Sequence, residues 1–156
     1  MSQPRLPYRE LSKDAYLALA SVNAALGRSA LGQKLCDLVF LRVSQINGCA
    51  FCVDMHSHDL LQQSEDVQRL LSIPTWRETE MFDARERAAL NWAERLTTLP
   101  GGHPADADFQ ALKTHFSDTE IADLTFAVAV INAWNRLGVG MQLPVTRSTA
   151  SAASAA

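Results

Sequence analysis

The residues best equipped for chemistry are Cys49, Cys52 and His56, in the run Cys49-Ala50-Phe51-Cys52-Val53-Asp54-Met55-His56. As a thiolate, a cysteine can attack an electrophile, exchange with a disulfide or ligate a metal. On a helix Cys49 and Cys52 stand three residues apart, Cys52 and His56 four, and Cys49 and His56 seven, so all three project from one stripe. A nucleophile, a thiol able to close a disulfide with it and an imidazole able to relay its proton would then share about two turns. Asn47-Gly48 is a turn signal just before them. It puts Cys49 in the first turn of a new helix, where unpaired N–H groups and the positive end of the dipole favour the anion. Such placements bring a thiol from about 8.5 to roughly 3.5–7.5.

Two other readings use the same residues. Structural zinc needs four ligands, and Cys49, Cys52 and His56 supply three. Cys36, His58, His103 or His115 would have to return as the fourth, and none has finger-like spacing. Alternatively, two inert helical cysteines could flank a core histidine. The redox dithiol uses the spacing best. His58 stacks over Asp54 at i, i+4 and reads as a surface or subunit-contact pair. His103 beside Pro104 and His115 before Phe116 read as loop and helix-end residues. Cys36 lies within an apolar helix face and reads as a small buried hydrophobe.

The elements that must hold these residues are helical. Ser12-Lys13-Asp14 opens a helix that Gly27 ends. Leu31, Leu35, Leu38, Val39, Val43 and Ile46 keep one helical face. A third helix is expected over 49–62, and Ser64 is placed to cap a short fourth one through Leu71, before Pro74. Asp83-Ala84-Arg85-Glu86 and Ser117-Asp118-Thr119-Glu120 both have capping-box spacing. The first opens a helix to Leu99; the second opens the longest apolar helix, to about Gly138, which is expected to be central. Phe109, Leu112 and Phe116 mark one face of a helix between them. With no strand alternation and no tandem repeat, the expected fold is all-α. It is a single-domain helical bundle over 1–144, followed by a Ser/Ala-rich tail over 145–156 that is expected to be mobile or loosely helical.

Composition excludes other classes. Fourteen Lys and Arg against seventeen Asp and Glu leave a charge of −3, with no general electrostatic reason to bind nucleic acid or an anionic membrane. The longest apolar run, Leu124 to Ile131, falls well short of the roughly 18 residues of a membrane span. The start MSQPRLPYRE has no apolar h-region, so a cytoplasmic, reducing location is expected. Three cysteines are too few and too odd in number for a disulfide framework. No cofactor and no resident metal are expected.

The stretch from Leu41 to His56 closely resembles the core of the alkylhydroperoxidase D-like (AhpD-like) branch of the carboxymuconolactone decarboxylase family. Arg85-Glu86-Arg87-Ala88-Ala89-Leu90-Asn91-Trp92-Ala93-Glu94 and the segments His115–Asp118 and Ile131–Arg136 are similar to that family as well. The resemblance covers roughly 10–140 and implies an oligomeric helical bundle, often a trimer or hexamer, with thiol-dependent peroxidase activity. By matching positions, it implies that Cys52 attacks a hydroperoxide, Cys49 resolves the sulfenic acid into a disulfide and His56 joins a proton relay. It also makes Cys49 the more accessible thiol, where a thiol, lipoyl or thioredoxin-like reductant would enter. The family's relay usually starts at a Glu twelve residues before the first Cys. Here that position is Asp37, one methylene shorter, so its relay is expected to be weaker or to need a water. Asn132, Trp134, Asn135 and Arg136 match a signature with an architectural role, their polar groups expected to bond between helices or subunits. Phe51 and Trp134 are candidates for an apolar pocket wall. Two rivals are a lactone-decarboxylase-type enzyme on the same fold and a non-enzymatic, redox-responsive stress or binding protein.

Overall fold

The computed structural model describes residues 3–145, so the tail beyond Val145 lies outside the described residues. Among the described residues every regular element is helical: α1 (Tyr8–Leu11), α2 (Lys13–Leu26), α3 (Gln33–Asn47), α4 (Ala50–Gln62), α5 (Val67–Ser72), α6 (Ala84–Thr97), α7 (Asp106–Lys113) and α8 (Asp118–Gly140), with 3₁₀ turns at Ile73–Glu78 and Leu99–Gly101. Helix α3 packs against α4, α6 and α8, and α2 lies against α8. One apolar cluster joins α2, α3, α6, α7 and α8 through residues such as Val39, Val43, Ala89, Leu124 and Ile131. A second, between α3, α4, α5, the first 3₁₀ turn and α6, contains Leu41, Leu60, Ile73, Trp76 and Leu90.

Capping sets the helix boundaries. Both capping boxes form: Asp83 with Glu86 at the start of α6, Ser117 with Glu120 at the start of α8. The cap of α5 is Asp66, whose Oδ1 accepts the N–H groups of Gln68 at 2.7 Å and Arg69 at 3.3 Å. Ser64, expected in that role, sits two residues earlier at φ 59°. Ser and Asp are comparable caps, so composition alone could not rank them. Helix α8 runs two residues past the expected stop, which places Gly138 inside it. It is central as expected, packing against α2, α3, α4, α6 and α7, but one face stays open: Phe126 is 62% exposed. An apolar pattern reports a preference for leaving water, not which face of a helix finds a neighbour.

Gly48 ends α3 at φ 65°, in the left-handed conformation, and its N–H closes the helix onto Gln45 and Ser44 carbonyls. A β-carbon there would meet no atom within 4 Å, so the cost of a side chain is torsional. Gly48→Ala is expected to lower unfolding free energy by about 1–2 kcal/mol in chemical denaturation. A variant as stable as the parent would show that the α3–α4 turn can relax elsewhere.

Candidate active site

The turn at Gly48 aims α4 so that Cys49 becomes its N-cap, with φ −85° and ψ 93°. The sulfur takes the place usually held by a Ser or Asp oxygen: the Cys52 backbone N–H donates to Cys49 Sγ at 3.4 Å. Cys52 follows one turn on and His56 one turn after that, all three buried at 1%, 3% and 4% exposure. Cys49 is therefore no more exposed than Cys52, contrary to the expectation of an accessible first cysteine. As the N-cap it is folded under the end of α8 instead of sitting on the outside of the turn.

Helix α8 closes the site from above. A β-carbon at Gly138 would fall 2.8 Å from Cys49 Sγ and 3.6 Å from Cys52 Sγ, so both sulfurs occupy the space that the glycine leaves. One turn earlier, Asn135 is 1% exposed. Its Nδ2 donates to Ser44 Oγ at 2.9 Å, and its Oδ1 accepts from Asn47 Nδ2 at 2.9 Å. Asn47 Nδ2 also donates to Asn132 Oδ1 at 2.9 Å, and Trp134 Nε1 donates to Asn23 Oδ1 at 2.8 Å. These polar groups of α8 thus find partners on α2 and α3 of the same chain. Arg136, which is exposed, bonds back to Asn132 on its own helix.

The two thiols share a proton unequally. Cys49 is lowered to about 6: it accepts the Cys52 thiol proton, and this with the Cys52 N–H, the Asn135 amide and His56 outweighs its burial. Cys52 is pushed well above the ordinary thiol range, first by donating to Cys49 and then by burial. One negative charge held at a helix N-terminus is the arrangement that the spacing predicted, and the structure seats it on Cys49. Cys36 is buried on α3 and raised to about 11, chiefly by burial, as an inert thiol should be. Thiolate absorbance near 240 nm is therefore expected to titrate as one group with a midpoint of about pH 6. The anion is lost as pH falls through that value, while the other two thiols ionise only in alkali. A single midpoint in the ordinary thiol range would show that the N-cap seat does not hold the anion.

Around His56 the carboxylates are close but not bonded. Its Nδ1 lies 3.6 Å from Asp37 Oδ1 and 3.5 Å from Asp59 Oδ2, and neither ring nitrogen has a hydrogen-bond partner among the described residues. Asp37 is 2% exposed, not a solvated surface acid. Gln33 Nε2 donates to both of its oxygens at 3.0 Å, and Gln63 Nε2 donates to Oδ2 at 2.7 Å. The gap to His56 is too short for an intervening water, and a shift of about half an ångström would close it to a hydrogen bond. Asp59, one turn after His56, was not anticipated; its i, i+3 spacing from His56 was the available signal. Asp37, His56 and Asp59 bring their potential ligand atoms within 4.8 Å of one another, a grouping that does not include the two thiols. His58 and Asp54 are exposed, as is His103, and His115 is half-buried at the end of α7.

The thiols open onto different spaces. Cys52 and His56 line a cavity of about 250 Å³ whose walls include Phe51, Met55, Ile131 and Trp134. Cys49 instead borders an adjoining groove with Gly48, Gly138 and Pro144, divided from the cavity by Phe51 and Leu143, which line both. The expected wall residues Phe51 and Trp134 are both in the cavity, and its rim is formed by Tyr8 and Arg9 of α1 and Tyr16 of α2. Sequence reasoning assigned nothing to these last three: α1 is a single turn without a periodic pattern, and Tyr16 lies on α2 apart from any motif.

The family model for the carboxymuconolactone decarboxylase family matches residues 12–95, which include both thiols and His56. Over 141 residues the chain is 31% identical to the uncharacterized protein YdfG of Bacillus subtilis (strain 168), covering 90% of this chain and 95% of that one. A crystal structure from Agrobacterium tumefaciens, of a protein of unknown function proposed as the antioxidant defence protein AhpD, superposes with a TM-score of 0.89. The two are 34% identical over 94% of this chain and 100% of that chain. An uncharacterized peroxidase-related protein from Silicibacter sp. TM1040 superposes with a TM-score of 0.75 at 26% identity, over 84% of this chain and 70% of its own. No helix among the described residues is long and apolar enough to cross a membrane.

Proposed function

The chain belongs to the AhpD-like branch of the carboxymuconolactone decarboxylase family, and on that premise we propose that it is a thiol-dependent peroxidase working through a Cys49–Cys52 disulfide cycle. The observation that carries this is the division of space: Cys52 and His56 face one cavity, while Cys49, hydrogen-bonded to Cys52, borders another.

The cycle starts from a Cys49 thiolate and a Cys52 thiol. His56 takes the Cys52 proton, and the imidazolium so formed lies beside the carboxylates of Asp37 and Asp59. Cys52 Sγ attacks the outer oxygen of a hydroperoxide; the O–O bond breaks and the leaving alkoxide takes the proton from His56. The products are an alcohol and a Cys52 sulfenic acid. Cys49 thiolate then attacks Cys52 Sγ, and hydroxide leaves with a solvent proton as water, completing the disulfide. A thiol, lipoyl or thioredoxin-like dithiol reaches Cys49 from its groove and restores the pair by exchange, itself becoming the disulfide. The reading includes a homo-oligomer, trimeric or hexameric, for which the exposed Phe126 on α8 and Leu71 on α5 leave apolar surface.

Intact mass with thiol mapping tests it. One equivalent of an organic hydroperoxide is expected to remove two hydrogens, mapped to Cys49 and Cys52, with Cys36 free. Unreacted thiols, or slow oxidation that takes Cys36 with the others, would overturn it in favour of a non-enzymatic or decarboxylase-type protein.

A further inference from the structure

The cavity at Cys52 has a polarity of its own. Its floor holds Cys52 and His56, and behind them lie the Cys49 thiolate and the carboxylates of Asp37 and Asp59. Its walls are apolar and aromatic. Tyr8 meets Tyr16 edge-on with centroids 6.2 Å apart, and Tyr16 meets Trp134 edge-on at 5.5 Å. The indole N–H of Trp134 is already satisfied by Asn23 and makes no demand on a substrate. At the rim stands one cation. Arg9 Cζ lies 5.4 Å from the Tyr16 ring centroid and 5.9 Å from that of Tyr8. Its Nε donates to Tyr8 Oη only at 3.5 Å, and among the described residues it has no carboxylate within ion-pair distance. A guanidinium within 6 Å of two aromatic ring centroids and without a carboxylate partner among the described residues keeps N–H donors for a planar anion.

Resting on the peroxidase reading, we propose that this cavity takes a compact organic hydroperoxide carrying a carboxylate, with the carboxylate on Arg9 at the rim and the peroxide at Cys52. The charges orient it. A carboxylate at the floor would be repelled by Asp37, Asp59 and the Cys49 thiolate, which lie just behind His56 and Cys52, whereas at the rim it meets Arg9. The apolar body lies between, against Tyr16, Phe51, Ile131 and Trp134. A cavity of about 250 Å³ suits one substituted ring or a short branched chain better than a long acyl tail. The chemistry leaves the carboxylate untouched: the hydroperoxide and the dithiol give the hydroxy acid, water and the protein disulfide.

The experiment compares cumene hydroperoxide bearing a para-carboxylate with its methyl ester, each by the second-order rate of Cys49–Cys52 disulfide formation. Hydrogen peroxide is run in parallel as the arm that reports the dithiol cycle itself. The wild-type protein is expected to favour the acid over the ester by about fivefold, the ceiling for an exposed ion pair. That ratio should fall to about one in Arg9→Gln, persist in part in Arg9→Lys, and shrink in 1 M salt. Disulfide formation with hydrogen peroxide but equal rates for acid and ester would overturn the substrate assignment and leave the peroxidase intact. If no hydroperoxide oxidises the pair, the peroxidase reading fails by itself, and 4-isopropylbenzoate against its amide decides the anion site from tryptophan fluorescence. Tighter binding of the acid, lost in Arg9→Gln, upholds the site; equal binding overturns it.

Discussion

Cys52→Ser is expected to lose hydroperoxide turnover to below about one hundredth of the parent, a barrier increase of about 3 kcal/mol or more. The hydroxyl can occupy the space of the thiol, but it lacks a nucleophile that ionises in this range. Cys49→Ser should behave differently. It keeps the attacking thiol at the cavity and loses the resolving one, so a single equivalent of peroxide should leave a sulfenic acid on Cys52, trapped as a dimedone adduct. The pair of variants is informative because the resting anion sits on Cys49 while the cavity opens at Cys52. Attack from Cys52 requires a proton to leave it first, which gives His56 a defined task. A dimedone adduct on Cys49 in Cys52→Ser, at the parental rate of peroxide consumption, would reverse the two roles and show that peroxide enters by the groove.

Gly138→Ala is the second substitution expected to have a large effect, and it should act on chemistry far more than on folding. Position 138 is inside α8, where alanine is favoured over glycine by about 1 kcal/mol. Were the site indifferent, the variant would melt higher. The added methyl would instead sit 2.8 Å from Cys49 Sγ, well inside van der Waals contact. A sulfur on a single χ angle can turn away cheaply, so net stability is expected to stay within about 1 kcal/mol of the parent. In turning away it leaves the Cys52 N–H and the Cys52 thiol. The Cys49 thiol should then rise from about 6 towards the ordinary range, and disulfide formation should slow by tenfold or more. Parental oxidation rate and parental thiol titration in a well-folded Gly138→Ala protein would show that the glycine is only a packing detail.

Some of this was readable from neighbouring residues and some was not. Local chemistry was readable because its rules act over a few residues. Capping boxes at Asp83 and Ser117 place helix starts, Asn47-Gly48 places a turn, and i, i+3 and i, i+7 spacing puts Cys49, Cys52 and His56 on one stripe whatever surrounds them. The same logic failed where two residues of similar propensity competed, as Ser64 and Asp66 did for α5. It also failed where an apolar pattern could not say which face would find a neighbour, as with Phe126.

The sequence by itself determined that the chain is helical, that a dithiol and an imidazole share one stripe at a helix start, and that Cys36 is apart from them. Only the tertiary structure decided which thiol faces the cavity and how far both are buried. Both depend on α8, whose Asn135 and Gly138 lie more than eighty residues along the chain from Cys52. Its missing side chain at Gly138 makes room for the two sulfurs, and Asn135 supplies an amide to them. Asp37 became a buried acid within reach of His56 because Gln33 and Gln63 close around it. Arg9 became the rim of the cavity because α1 and α2 fold back over Trp134. Spacing along a helix is set by covalent geometry and survives in any environment. Burial, hydrogen bonds and electric fields are set by what packs alongside, and that is decided when the chain closes on itself.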